Sequence, residues 1–242
     1  MADIAKKIIP APGARPDVKA DAQRIFDVLH GGGLVVMPTE VGYGLISASK
    51  EAIERSFAAK KRAPNHTQGI LGTIGLHRKL HVLPDETHEM IRVLHQDLDL
   101  SFGVVAPFRN DHPVLSHLSE ATLANVTKPD GTVAMYLGGS ALLLELGRIS
   151  DAAGVLLLGS SANITGTGQK FRLEDMDPEI LEAADIIVDY GLQRYHVYKG
   201  RASSIIDFAN MKTVRVGSSY ELIRERMHKF WGIELSPDPD YP

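Results

Sequence analysis

Four short stretches carry residue types that could do chemistry together. The first is Pro38-Thr39-Glu40-Val41-Gly42-Tyr43-Gly44-Leu45, directly after an apolar run that follows Gly31-Gly32-Gly33. An apolar strand ending in Pro-Thr-Glu leaves a hydroxyl and a carboxylate at its tip, where sheet proteins place ligands. Gly42 and Gly44 permit close backbone approach there. The plain alternative is a strand-end turn with a capping threonine. The second stretch is Lys60-Lys61-Arg62, followed by Ala63-Pro64-Asn65-His66-Thr67. Lysine as a point charge and arginine as a bidentate fork suit a phosphate clamp. Cations at a helix C-terminus also favour the helix dipole without any ligand.

The third stretch, Gly159–Gly168, follows the apolar run Val155–Leu158 with Ser160, Ser161, Asn163, Thr165 and three further glycines or hydroxyls. Small hydroxyl residues and an amide at a strand end make a compact set of donors for oxyanions. It is neither a Walker loop nor a Gly-x-Ser-x-Gly elbow. A polar turn explains the same residues. The fourth, Arg201-Ala202-Ser203-Ser204-Ile205-Ile206-Asp207, puts two serines at the start of a short strand and is weak alone. His77 and His81 share a helical spacing, but without an acidic third ligand they read as surface residues and not as a zinc pair. No metal site is expected of the chain itself. The basic residues of Tyr220–Phe230 read as the solvated face of an amphipathic helix.

Composition narrows the classes. The 242 residues are 44% hydrophobic and 23% charged, with a formal net charge of −4. That is ordinary for a folded soluble domain and speaks against wholesale coating of nucleic acid. Cysteine is absent, which removes disulfides, thiolate metal sites and cysteine nucleophiles. No apolar run approaches the roughly 18 residues of a membrane span, and the N-terminus lacks the apolar core of a secretory signal. A cytoplasmic protein is expected.

These stretches need elements to hold them. Short apolar runs predict strands over Leu34–Pro38, Gly69–Ile74, Phe102–Pro107, Thr132–Leu137, Val155–Ser160, Ile186–Asp189, Ser204–Phe208 and Thr213–Val216. Helical periodicity predicts Asp21–Leu29, Glu51–Lys61, Glu86–Gln96, Ala141–Ala153, Pro178–Ala184 and Tyr220–Phe230. The alternation predicts one α/β domain over 18–232, a mixed open sheet with flanking helices. Residues 1–17, rich in proline, read as a loosely attached arm, and 233–242 as a tail.

Taken in order, the four stretches resemble the YrdC-like family, whose best-known members are threonylcarbamoyl-adenylate synthases of tRNA modification. The resemblance runs from about Ala20 to about Arg226, with Val214-Arg215-Val216-Gly217 similar to the family's closing Arg-x-Gly. It implies a twisted open α/β fold with a large concave cavity, where ATP, bicarbonate and L-threonine give threonylcarbamoyl-AMP and pyrophosphate. By that resemblance Lys60 and Arg62 are the catalytic pair and hold phosphates. Ser160, Ser161 and Asn163 would donate to phosphate or carbamate oxygens, and Thr39 would seat the amino acid. Ser203, Ser204 and Arg215 would line the phosphate side, with Mg²⁺ bound through the nucleotide. The implied partners are small molecules, with an indirect link to tRNA, no membrane, and an oligomeric state left open.

The chain also departs from the family pattern. Val41 stands for a threonine, Thr67-Gln68-Gly69 for Asn-Pro-Leu, and Leu100–Val104 for a Pro-Gly-Pro-x-Thr segment. Tyr136 stands where the family's Val-Arg-x-Pro strand carries arginine. Losing one charge-assisted phosphate contact is worth about 1.5–3 kcal/mol. A remodelled pocket with Tyr43, His66 and Tyr136 lining an altered acceptor site is therefore a second reading, and a non-catalytic nucleotide- or RNA-binding protein a third.

Overall fold

The computed structural model describes residues 7–8, 15–63, 66–116, 118–198 and 200–238; most of the arm at 1–17 and the end of the tail, 239–242, lie outside them. In chain order the elements are β1 Lys7–Ile8, α1 Val18–His30, β2 Val35–Thr39, β3 Gly42–Ser47, α2 Lys50–Ala59, β4 Gly69–Gly72, α3 Ile74–Leu80 and α4 Asp85–Arg92. They continue with β5 Phe102–Pro107, α5 Glu120–Ala124, β6 Thr132–Leu137, α6 Ala141–Ala153, β7 Leu157–Ser161, α7 Pro178–Ala183, β8 Ile186–Val188, β9 Ile205–Asp207, β10 Lys212–Arg215 and α8 Tyr220–Trp231. Local chemistry sets several boundaries. Asp17, Ser49, Thr73 and Ser140 each accept a hydrogen bond from a first-turn amide of α1, α2, α3 and α6. Gly154, in the left-handed region, ends α6.

Among the described residues the strands form one ten-stranded mixed sheet in the order β1-β8-β2-β3-β7-β4-β6-β5-β9-β10. The β1/β8, β2/β8, β4/β6 and β5/β9 pairs are parallel, and the rest antiparallel. Because strand side chains alternate, the two faces separate cleanly. Val35, Met37, Ile46 and Leu157 pack with α1 and α6. Val36, Leu45 and Ile187 face the other way, against Ala52 of α2 and Ile180 of α7. The largest core joins β5, β6 and β9 to α3, α4 and α8. Among the described residues no helix is long and apolar enough to cross a membrane.

Four expectations need correction. The tip at Pro38–Leu45 is not a single strand and turn but the β2–β3 hairpin, folded back at Gly42 with φ +112°. The run from Gly69 stops at Gly72, and Ile74 opens α3. The helix expected to Gln96 is α-helical only to Arg92, then runs on as a π-turn, Val93–Asp97. His77 and His81 are not surface residues: both are fully buried. The Nδ1 atoms of His77 and His81 lie 2.8 Å apart, and His88 Nδ1 lies 3.0 Å from His77 Nε2. Neutral imidazoles donate with one nitrogen and accept with the other, so both nitrogens of His77 are satisfied by its two neighbours, while His81 Nε2 is buried without a partner. Burial, then the neighbouring imidazoles, pushes His77 far below its ordinary pKa, and burial pushes His81 down to about 4.

Candidate functional site

A cavity of about 450 Å³ opens on the sheet face that carries α1 and α6. Its floor follows from strand register. Ile46, Gly159 and Gly69 stand side by side across β3, β7 and β4, with Ala134 next on β6. The next row on that face is Leu71, Tyr136, Gly103 and Ile205. Glycine weakens a strand but lets another body approach its backbone. A methyl on Gly159 would come within 2.7 Å of Ile46 Cδ1 and Leu71 Cδ1, so these two side chains close over its backbone and leave no room for one.

Cations and hydroxyls form the walls. Lys61, at φ +51°, breaks the chain out of α2 and swings Arg62 to the cavity. Arg62 Nη2 donates to Thr67 O at 3.3 Å, and its Nε is buried without a partner. From β10, Arg215 donates through Nε to Ser203 O at 2.8 Å and through Nη2 to Ser203 Oγ at 2.9 Å. Burial lowers the pKa of both guanidiniums, and Arg62 lowers that of Arg215 further. Lys128, from the loop before β6, lines the same space. Ser160 Oγ and Gln169 Oε1 are buried there without partners, while Gln169 Nε2 donates to Tyr43 O at 2.9 Å. No aspartate or glutamate lines this cavity among the described residues. Three cations and no carboxylate make a cradle for an anion.

The structure sorts the residues singled out from sequence. Thr39, Arg62, Ser160, Ser161, Ser203 and Arg215 reach the cavity wall. Thr39 Oγ1 already donates to Gly42 O at 2.6 Å, closing the hairpin. Lys60 is 2% exposed and lies off the wall, with Nζ donating to Ser161 O and, at 2.8 Å, to Asn163 O. Burial, then Arg62, pulls its pKa down to about 7. Asn163 is also behind the wall, its Nδ2 donating to Ile164 O at 2.6 Å. Ser204 is a staple: its hydroxyl donates to Ser218 O at 2.9 Å and accepts from Gly217 N. His66 is exposed and not on the lining.

Both tyrosines line the cavity with their hydroxyls engaged elsewhere. Tyr43 donates to Asp189 Oδ1 at 3.1 Å and Gly191 O at 2.9 Å, and burial and Asp189 raise its pKa. Tyr136 donates to Glu40 Oε2 at 2.9 Å, and burial and Glu40 raise its pKa as well. Glu40 Oε1 is buried without a partner. The wall at Tyr136 is therefore a neutral ring. Sequence reasoning missed Lys128 and Gln169, which carry no local motif. It also passed over the glycine floor, although glycines inside predicted strands were a usable sign.

Fold and site together define an α/β protein with a cation-lined, carboxylate-free cavity on the face of a mixed sheet. A family profile described as "Telomere recombination", covering Sua5, YciO and YrdC proteins, matches residues 27–217, and the chain belongs to that family. A comparison with curated proteins gives no sequence match. Among solved structures, a hypothetical protein from Streptococcus mutans UA159 is 20% identical with TM-score 0.74, over 95% of this chain and 96% of that one. P. abyssi Sua5 complexed with L-threonine is 21% identical with TM-score 0.65, over 90% of this chain and 60% of that one. E. coli YciO is 16% identical with TM-score 0.57, over 88% and 93%. The chain thus has the YrdC-like fold.

Proposed function

We propose that the protein forms a carbamoyl-adenylate, with ATP, bicarbonate and L-threonine as substrates and threonylcarbamoyl-AMP and pyrophosphate as products. The observation that carries this reading is the cavity with Arg62, Lys128 and Arg215 on its wall and no carboxylate among them. Membership of the Sua5/YciO/YrdC family supports it, and so does the L-threonine bound to the P. abyssi relative. The threonine amine would take up CO₂ from bicarbonate to give a carbamate. A carbamate oxygen would then attack the α-phosphorus, and the bond to the departing pyrophosphate would break. No covalent nucleophile is required, so the work is positioning and neutralisation of phosphate charge. Arg62, Arg215 and Lys128 would hold the phosphates, while Ser160, Ser161 and Ser203 would donate to oxygens. Mg²⁺ would arrive on the triphosphate, because this wall offers it no carboxylate. The product would feed tRNA modification.

The hydroxyl of Tyr136, bound to Glu40, favours a second reading in which the same cavity serves a less charged substrate. One assay separates the two. Pyrophosphate release from ATP that depends on both bicarbonate and L-threonine supports synthesis of the carbamoyl-adenylate. ATP binding without threonine-dependent release supports the remodelled pocket.

A further inference from the structure

We propose that Lys60 is a positioning residue, which shapes the 160–166 loop from behind while Arg62, two residues on, meets the ligand. The inference rests on the anion-cavity reading above and assigns the two cations of Lys60-Lys61-Arg62 to different tasks. Three contacts fasten the loop to Lys60. Its Nζ donates to Ser161 O and Asn163 O, and its own carbonyl accepts from Thr165 N at 3.0 Å. The side chain is buried and off the cavity wall, whereas Arg62 is on it. Lys61, in the left-handed region, stands between them.

An ammonium has three N–H donors, and two are used on the loop. The loop in turn presents Ser160 Oγ, buried and unpartnered, together with Ser161 to the cavity. Between Ser160 and Gly166 the backbone lies outside regular strand pairing beyond Ser161, so its path depends on such fasteners. Lys60 bonds to the carbonyls through N–H groups, and a neutral donor of similar reach can do part of the same work.

The test compares full-length wild type with Lys60→Met and Lys60→Gln. Hydrogen exchange reads the loop, calorimetric titration with ATP reads affinity, and thermal melting checks the fold. In Lys60→Met the amides of 160–166, Thr165 included, should exchange at least about tenfold faster, with ATP affinity down at least about tenfold. The carboxamide of Lys60→Gln should restore loop protection and bring affinity back to within about threefold. Unchanged loop exchange in both variants, with affinity lost equally in both, would overturn the proposal and place the charge on the ligand. Should Lys60→Met not fold, Lys60→Gln decides alone: a protected loop with collapsed affinity contradicts the proposal. Wild type that ignores ATP would defeat the functional reading, and loop exchange would still judge Lys60.

Discussion

The histidines of α3 and α4 and the cations around the cavity are both buried bases, and they differ in what holds them. His77 bonds to both His81 and His88, and burial disfavours the charged form of all three. Arg62 and Arg215 lean on carbonyl and hydroxyl oxygens, and burial opposes their charge. One Arg62 nitrogen has no partner at all. The first group spends its nitrogens on one another and sheds its charge, with His81 Nε2 left buried and unpartnered. The second keeps its charge in a buried, carboxylate-free wall, an arrangement that costs stability in the empty cavity and is the pattern expected where function overrides packing. Equal burial therefore says little about a base. Whether it can shed its charge says more.

Replacing Arg62 by Met, which keeps the stem, should break the comparison on the cavity side. Charge-assisted contacts are worth about 1.5–3 kcal/mol each, so ATP affinity should fall by about ten- to a hundredfold in calorimetric titration. The melting temperature of the empty protein should hold or rise. A clear loss of stability would show that Arg62 belongs to the fold.

His77→Gln should do the reverse. It removes the centre of a buried hydrogen-bonded chain, so denaturant titration should show a loss of about 1–3 kcal/mol with ATP affinity within about twofold. The pH dependence sharpens this. The folded-state pKa values of His77 and His81 lie below the unfolded value, so protons bind more readily to the unfolded chain. Their stabilisation is complete above about pH 6.5 and is lost as the pH falls from there through about 4 for His81. Denaturant titrations across that range should slope less steeply for His77→Gln than for wild type.

Tyr136→Phe belongs between the two regions. It removes the hydroxyl that donates to Glu40 but keeps the ring on the wall. A loss of about 1–3 kcal/mol in stability and less than about a threefold change in ATP affinity is expected. A larger affinity loss would mean that the hydroxyl turns to the ligand.

The two regions were not equally legible in the sequence. Apolar runs and helical periodicity located most elements, and α6 falls on Ala141–Ala153 as expected. The hairpin at Gly42 was missed because β2 and β3 are wholly buried, which erases the alternation that marks a strand. The burial of His77 and His81 is not legible locally, because His88, the second partner of His77, comes from the next helix. At the cavity, the motifs pointed to Arg62, Ser160, Ser161, Ser203 and Arg215. They could not tell a side chain facing the cavity from one behind it. The bonds to Ser161 O and Asn163 O make that difference for Lys60, and the bond to Ser218 makes it for Ser204. Lys128 and Gln169 reach the wall through loops whose path no local pattern encodes.

The central claim is that the cavity is an anion site built for a nucleotide. Calorimetric titration of ATP into wild type, repeated with pyrophosphate present and at raised salt, tests it most directly. The account predicts saturable binding at one site, competed by pyrophosphate and weakened as salt screens the cations. A folded protein that takes up no ATP at millimolar concentration, or takes it up with no competition from pyrophosphate, would contradict it.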